Sequence, residues 1–424
     1  MKPFSRKVLK NGLRIITVPQ KDSLSATVLV LVEAGSKYET KRISGLSHFL
    51  EHMCFKGTSN RPSALHITTE LDQLGAQYNA FTGQEYTGYY AKVRSEKLTD
   101  AVDIIADLYS NPLLNEEEIE REKGVVIEEI NMYEDLPPRK APELFEELLY
   151  GDQPAGWPIG GLKDVIRKLN RKDLVKYRSQ HYVAQATSIV VVGSFNEKKL
   201  IKQLEEAFAN VPSNKKFGKV KTRESQKKPQ LSIQYKKSDQ THLVIGCRSF
   251  AEDDERRFAL RVMNDILGGG MSSRLFQRVR EELGAAYYVR SGASLYTDHG
   301  YWAAGAGVDH KKLNLVIKAI LEEMRRLTRE PVSKEDLQRA KDHLSGNLVL
   351  GLESSDDLAL FYGMQEISNR PVMTPQQILK KIIDVKPNDI MKVAKHIFTN
   401  KKLNLALIGP TRSKGTLIKN LRFD

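Results

Sequence analysis

The pentapeptide Leu-Gly-Ala-x-Tyr occurs twice in this chain, beginning at Leu74 and again at Leu283, 209 residues apart in a sequence of 424. Each copy follows a segment with helical spacing of apolar residues. Each leads into two strand-like runs, "LGAQYNAFTGQEYTGYYAKV" in the first half and "LGAAYYVRSGASLYTDHGYWAAGAGV" in the second. A repeat at half the chain length constrains the fold strongly, because both halves must then build the same supersecondary unit. The length alone also calls for two domains, since single cores stop growing at about 250–300 residues. Between the halves, residues 213–229 ("SNKKFGKVKTRESQKKP") are poor in large apolar side chains and read as a flexible linker. The expected organisation is a domain over 1–212, the linker 213–229, and a similar domain over 230–424.

Within the first half, "GLRIITV", "SATVLVLVEAG" and "ATSIVVVGSF" have the apolar runs of strands. Helices are expected around residues 48–57, over "RPSALHITTELDQLG", and over "EEEIEREKGVVIEEINMYED", where Asn115 is the N-cap. This order predicts an α+β fold: two similar domains, each a mixed or antiparallel sheet with helices packed on one face.

Composition narrows the function classes. No apolar run approaches the roughly 18 residues that span a bilayer, and the N-terminal "MKPFSRKVLKNGLRIITVPQ" lacks the apolar core of a signal peptide. The two cysteines, Cys54 and Cys247, lie far apart and do not make a disulfide framework. A cytoplasmic protein with no membrane association is expected. The net charge of +13 raises the question of a nucleic-acid partner. The lysines are spread out or gathered in the linker, with no RNA-binding aromatic signature, so a solvated basic surface is the better reading and no nucleic-acid partner is expected.

The chemistry is carried by "HFLEHMCFKG", residues 48–57. On a helix His48 and His52 lie one turn apart on one face, and two neutral imidazoles so placed can share one Zn²⁺. Glu51 stands beside them without having to ligate. The reversed spacing H-x-x-E-H is a peptidase motif. A catalytic zinc takes a third protein ligand, and "EREKGVVIEEI" offers Glu122 and Glu129, seven residues apart and therefore on one helical face.

At "GLSHFLEHMCFKGTSNRPS", "LGAQYNAFTGQEYTGYYAKV" and "EIEREKGVVIEEINMYEDLP" the chain resembles the pitrilysin family of zinc metallopeptidases over nearly its whole length. It is most like the small two-domain bacterial members and the catalytic subunit of mitochondrial processing peptidase. The resemblance implies a zinc metalloendopeptidase that cleaves short or unfolded peptides with one Zn²⁺ per chain. It places the metal ligands at His48, His52 and Glu129, the general base at Glu51, and a supporting acid at Glu122. It places peptide binding on the strand carrying Asn79 and Ala80. From the second half it implies an arginine and a tyrosine that assist catalysis, at Arg280 and Tyr287 in "REELGAAY". It further implies a homodimer. The second half has no H-x-x-E-H, as in the family's inactive copy. The intact motif argues against a non-catalytic assembly subunit.

Overall fold

Runs of aliphatic and β-branched residues become strands buried on both sides. The computed structural model describes residues 3–411 and 414–423, so the outermost residues of both expected domains lie outside it. In the first unit six strands pair in the order β1-β2-β6-β3-β5-β4: β1 (Ser5–Val8), β2 (Arg14–Pro19), β3 (Ser25–Val32), β4 (Gln77–Thr82), β5 (Thr87–Arg94) and β6 (Thr187–Gly193). In the second unit the order is β7-β11-β8-β10-β9, from β7 (Gln230–Tyr235), β8 (Thr241–Arg248), β9 (Ala286–Leu295), β10 (Gly300–Val308) and β11 (Leu403–Gly409). Without β1 the two orders are the same, step for step. The β2–β6 pair is parallel and so is β7–β11, and every other pairing is antiparallel. The repeat therefore extends from five residues to a whole topology. Gln77 and Ala286, the first residues of β4 and β9, occupy the same step of it.

The fold class is the expected α+β pair, each unit a mixed sheet with packed helices. The helices, however, cover both faces. In the first unit Ile15, Val28, Val30, Ile189 and Val191 pack with Phe49, Leu50 and Met53 of the helix Leu46–Cys54 and with Val102 and Ile105 of Leu98–Ser110. The opposite face, including Ile16, Leu29, Leu31 and Val190, is covered by Leu358, Ala359 and Tyr362 of the helix Ser355–Ile367. That helix comes from the second half of the chain. Reciprocally, Pro137–Tyr150 lays Ala141, Phe145 and Leu149 on Val244, Ala406 and Ile408 of the second sheet.

The units are therefore not the collinear 1–212 and 230–424. They are Met1–Ile130, Trp157–Val220 and Val349–Thr374 for the first, and Asn131–Gly156, Lys221–Leu348 and Pro375–Asp424 for the second. The physical reason is that β3 and β6 in the first sheet, and β8 and β11 in the second, are buried on both faces, so each sheet needs a second cover. Ion pairs fix the borrowed helix of the first unit. Arg14, buried on β2, reaches Glu33 at 2.9 Å and Glu366 at 3.7 Å, and Arg6 binds Glu366 at 2.8 Å.

Residues 213–229 are also different from a free tether. Lys216 binds Glu33 at 2.8 Å, Lys219 binds Glu85 at 2.6 Å, and Phe217 meets the buried ring of His181 edge-on. Beyond Lys221 the backbone N–H groups of Thr222 and Arg223 donate to Asp298 and Gln153, at 2.8 and 2.9 Å. Composition marks a polar segment as mobile, but these lysines meet nearly buried carboxylates that hold the chain down. The strap should resist subtilisin, with opening governed by local unfolding. Replacing Lys216 and Lys219 together by alanine is expected to raise cleavage within 213–220 by about tenfold. An unchanged rate would show that the ion pairs do not hold it.

Candidate metal centre

The helix Leu46–Cys54 starts from Gly45, whose φ of 92° is open to glycine. A Cβ on Gly45 would also lie 2.7 Å from the Gly160 carbonyl oxygen, and one on the facing Gly161 2.3 Å from that of Ser44. With no side chain of its own, this N-cap leaves the first amides to a distant carboxyl. Glu39, buried, accepts from Gly45 N at 2.7 Å and from Ser47 N at 2.6 Å. Leu46, Phe49, Leu50 and Met53 face the core, so His48, Glu51 and His52 share the half-buried face.

The acidic helix Glu116–Asp135 begins after Asn115, whose side chain accepts from Glu117 N at 2.9 Å. It lays Glu122 and Glu129, two turns apart, against that face. His48 Nε2 and His52 Nε2 are 3.3 Å apart, and Glu129 Oε2 is 3.5 Å from each. Ligand arms of 2.0–2.2 Å around a tetrahedral Zn²⁺ imply edges of roughly 3.3–3.6 Å. The three atoms thus form one face of such a tetrahedron, and two imidazole nitrogens with a carboxylate oxygen are a donor set that suits zinc. The residues present fit the ion.

The other nitrogen of His52 is also committed. Nδ1 lies 2.9 Å from Glu122 Oε1, and Lys56 Nζ lies 2.6 Å from Glu122 Oε2. A carboxylate on Nδ1 fixes the tautomer and turns the Nε2 lone pair toward Glu129. Burial opposes ionisation of Glu122, yet its bonds to His52 and Lys56 outweigh that and hold the carboxyl below its ordinary range. Burial, helped by the neighbouring His52, pushes His48 down to about 4, so this imidazole is neutral. Burial would lower His52 too, but the carboxylates of Glu122, Glu51 and Glu129 raise it. Glu51 is held above its usual range by burial, partly offset by the hydroxyl of Thr82, which donates to Oε2 at 2.6 Å.

Asn79 and Ala80 lie on β4, the last strand of its sheet, with one edge unpaired by any other strand among the described residues. Asn79 Oδ1 already accepts the Ala80 N–H at 2.9 Å. Arg280 and Tyr287 belong to the second unit. Arg280 lies in a π-helical turn, Phe276–Glu282, with its guanidinium 4.9 Å from the Phe276 ring centre and 5.9 Å from that of the exposed Tyr287. Cys54 is a buried thiol beside Tyr89, in keeping with a packing role. Sequence reasoning passed over Glu39, Lys56 and Thr82. Only Lys56 had a local signal, its place one turn after His52.

A family profile described as Insulinase (Peptidase family M16) matches residues 14–161, and one described as Peptidase M16 inactive domain matches residues 168–344. An uncharacterized zinc protease of Streptomyces coelicolor is 34% identical over 96% of this chain and 90% of its own length. The uncharacterized zinc protease YmxG of Bacillus subtilis is 35% identical over 96% of this chain and 98% of its own. The crystal structure of a protease from Helicobacter pylori superposes with a TM-score of 0.89 at 23% identity, covering 96% of this chain and 99% of that one. A peptidase M16 inactive domain from Pseudomonas fluorescens gives 0.89 at 18% identity, covering 97% and 99%.

Two outcomes follow from the electrostatics. Glu122→Gln should weaken Zn²⁺ binding, measured by chelator competition, by about 10–100-fold, and Lys56→Met by less. Glu122→Gln also removes an anion that raises His52, so proton competition with the metal should move to lower pH; unchanged affinity would free Glu122 of this role. Glu39 supplies the second. Burial pushes its carboxyl up to about 8, against the bonds from Ser47 and Gly45, while its unperturbed value is 4.5. The folded state therefore keeps a proton that the unfolded chain releases between those values. Its contribution to stability is full below about 4.5 and is lost as pH rises through about 8, and Glu39→Gln should remove that dependence in thermal melts.

Proposed function

Since the chain belongs to the insulinase family of peptidases, family M16, we propose that it is a zinc metalloendopeptidase acting on short or unfolded peptides. The observation that carries this reading is the triangle of His48, His52 and Glu129, with edges of 3.3–3.5 Å. In this reading the three residues hold one Zn²⁺ per chain, and the names of the zinc protease relatives support zinc as the metal. A zinc ion held there supplies Lewis-acid activation of water and of the scissile carbonyl.

The chain's own groups do the rest. Glu51, one residue before His52, takes the proton of the attacking water and passes it to the leaving amine. Its partly desolvated carboxyl, held above the usual range, is closer to the working pH of such a proton carrier. Glu122 and Lys56 keep His52 in the ligating tautomer. The free edge of β4 at Asn79 and Ala80 accepts an extended peptide by main-chain pairing, which favours unfolded substrates and broad side-chain tolerance. Tyr287 and Arg280 serve from the second unit, the phenol as a donor to the developing oxyanion and the guanidinium on the substrate. The homodimer and the cytoplasmic setting belong to the same proposal. No helix among the described residues is long and apolar enough to cross a membrane.

Metal analysis paired with cleavage of an unstructured peptide tests the reading. Wild type and Glu51→Gln should each bind one zinc, and Glu51→Gln should lose about 10²–10⁴ in kcat. Zinc-loaded wild type that cleaves no peptide, or an active Glu51→Gln, would overturn it.

A further inference from the structure

Among the described residues Glu51 has one hydrogen-bond partner, the Thr82 hydroxyl at 2.6 Å. Thr82 has no part in the metal site, and the peptide edge at Asn79–Ala80 ends before it. It is the last residue of β4, where its backbone pairs with Thr87. By strand alternation Tyr78, Ala80 and Thr82 share one face. Tyr78 and Ala80 pack against the core that contains the histidine helix, whereas Phe81 packs on the opposite side of the sheet. A β-branched side chain on a paired strand has few χ1 choices. The hydroxyl is therefore aimed at Glu51 by a rigid element.

We propose that Thr82 is a positioning residue for peptide-bond hydrolysis. Its hydroxyl pins one carboxylate oxygen of Glu51, Oε2, and leaves Oε1 to take the proton of the attacking water. This rests on the reading of Glu51 as general base. A carboxylate torsion is otherwise broad, and a hydroxyl donated to an ionised carboxylate is among the stronger hydrogen bonds. Without it Glu51 spends part of its time turned away from the water, and catalysis is sensitive to such misplacement. The arrangement also ties substrate to base. Residues 80 and 82 of one strand, about 7 Å apart at 3.3–3.4 Å per residue, carry the peptide edge and the aim of the proton acceptor. Thr82 bonds to Glu51 and to neither histidine, so its loss should impair the chemical step and spare both metal and peptide binding.

The test uses the zinc-loaded full chain and an unstructured fluorogenic peptide that wild type cleaves. Thr82→Val removes the donor at nearly constant volume, and Thr82→Ser keeps it. Thr82→Val is expected to lower kcat by about 10–100-fold with KM within about twofold and one zinc retained, and Thr82→Ser to stay within about threefold of wild type. A wild-type kcat for Thr82→Val overturns the proposal. So does a loss confined to KM, a loss of zinc, or a lower melting temperature with kcat unchanged. Failure of Thr82→Ser to restore the rate does the same. Glu51→Gln, run in parallel, separates the layers. If it is inactive while Thr82→Val is fully active, Thr82 alone is excluded. If Glu51→Gln is itself active, the reading of the base falls and the proposal falls with it.

Discussion

His52 is the residue through which the candidate metal site is organised, because both of its ring nitrogens are spoken for. Nδ1 is held by Glu122 and, behind it, Lys56; Nε2 faces His48 and Glu129 within 3.5 Å. Such an arrangement gathers several titratable groups into a partly desolvated space, where each unpaired charge is costly. It survives because each charge has a counter-charge or a hydrogen bond, and because one imidazole, His48, is kept neutral by burial. Two helices more than sixty residues apart in sequence must lie side by side to achieve it. The core formed by Phe49, Leu50, Met53, Ile119 and Val126 is what brings them there.

The duplication explains why the scaffold is larger than the site. Both units build the same five-strand order, yet only the first carries H-x-x-E-H. The profile described as an inactive domain matches residues 168–344, which take in residues 221–344 of the second unit. That unit keeps the topology without the motif, and carries a π-helical turn with Arg280 and an exposed tyrosine. Each half also gives up one helix to cover the second face of the other's sheet. Sheets buried on both sides demand such covers, and exchange supplies them without lengthening either half.

Burial also divides the polar groups of the site by role. Glu39, the most enclosed, satisfies the start of a helix that has no N-cap side chain. Glu122, between a lysine and a histidine, is held ionised. Glu51, half-buried with a single hydroxyl donor, is held above its ordinary range. Three carboxyls around one short helix thus differ in proton affinity because their surroundings differ, and neither their type nor their spacing in the sequence would separate them.

Much was legible in the sequence. The half-length repeat implied two like units, apolar runs marked β2, β3 and β6, and helical spacing brought His48, Glu51 and His52 to one face. These are local or periodic signals, set by backbone geometry that every chain obeys. Spacing narrowed Glu122 and Glu129 to one face of one helix, and the family resemblance implied Glu129 as ligand and Glu122 as its support. The packing of that helix puts Glu129 in the triangle and Glu122 behind His52. The borrowed helices Pro137–Tyr150 and Ser355–Ile367, the docking of residues 213–229, and the contacts of Glu39, Lys56 and Thr82 were not legible. Each depends on which surfaces meet after folding. Periodicity says that a helix has an apolar face or that a lysine is charged, and only the tertiary structure decides which sheet that face covers and which carboxylate that lysine finds.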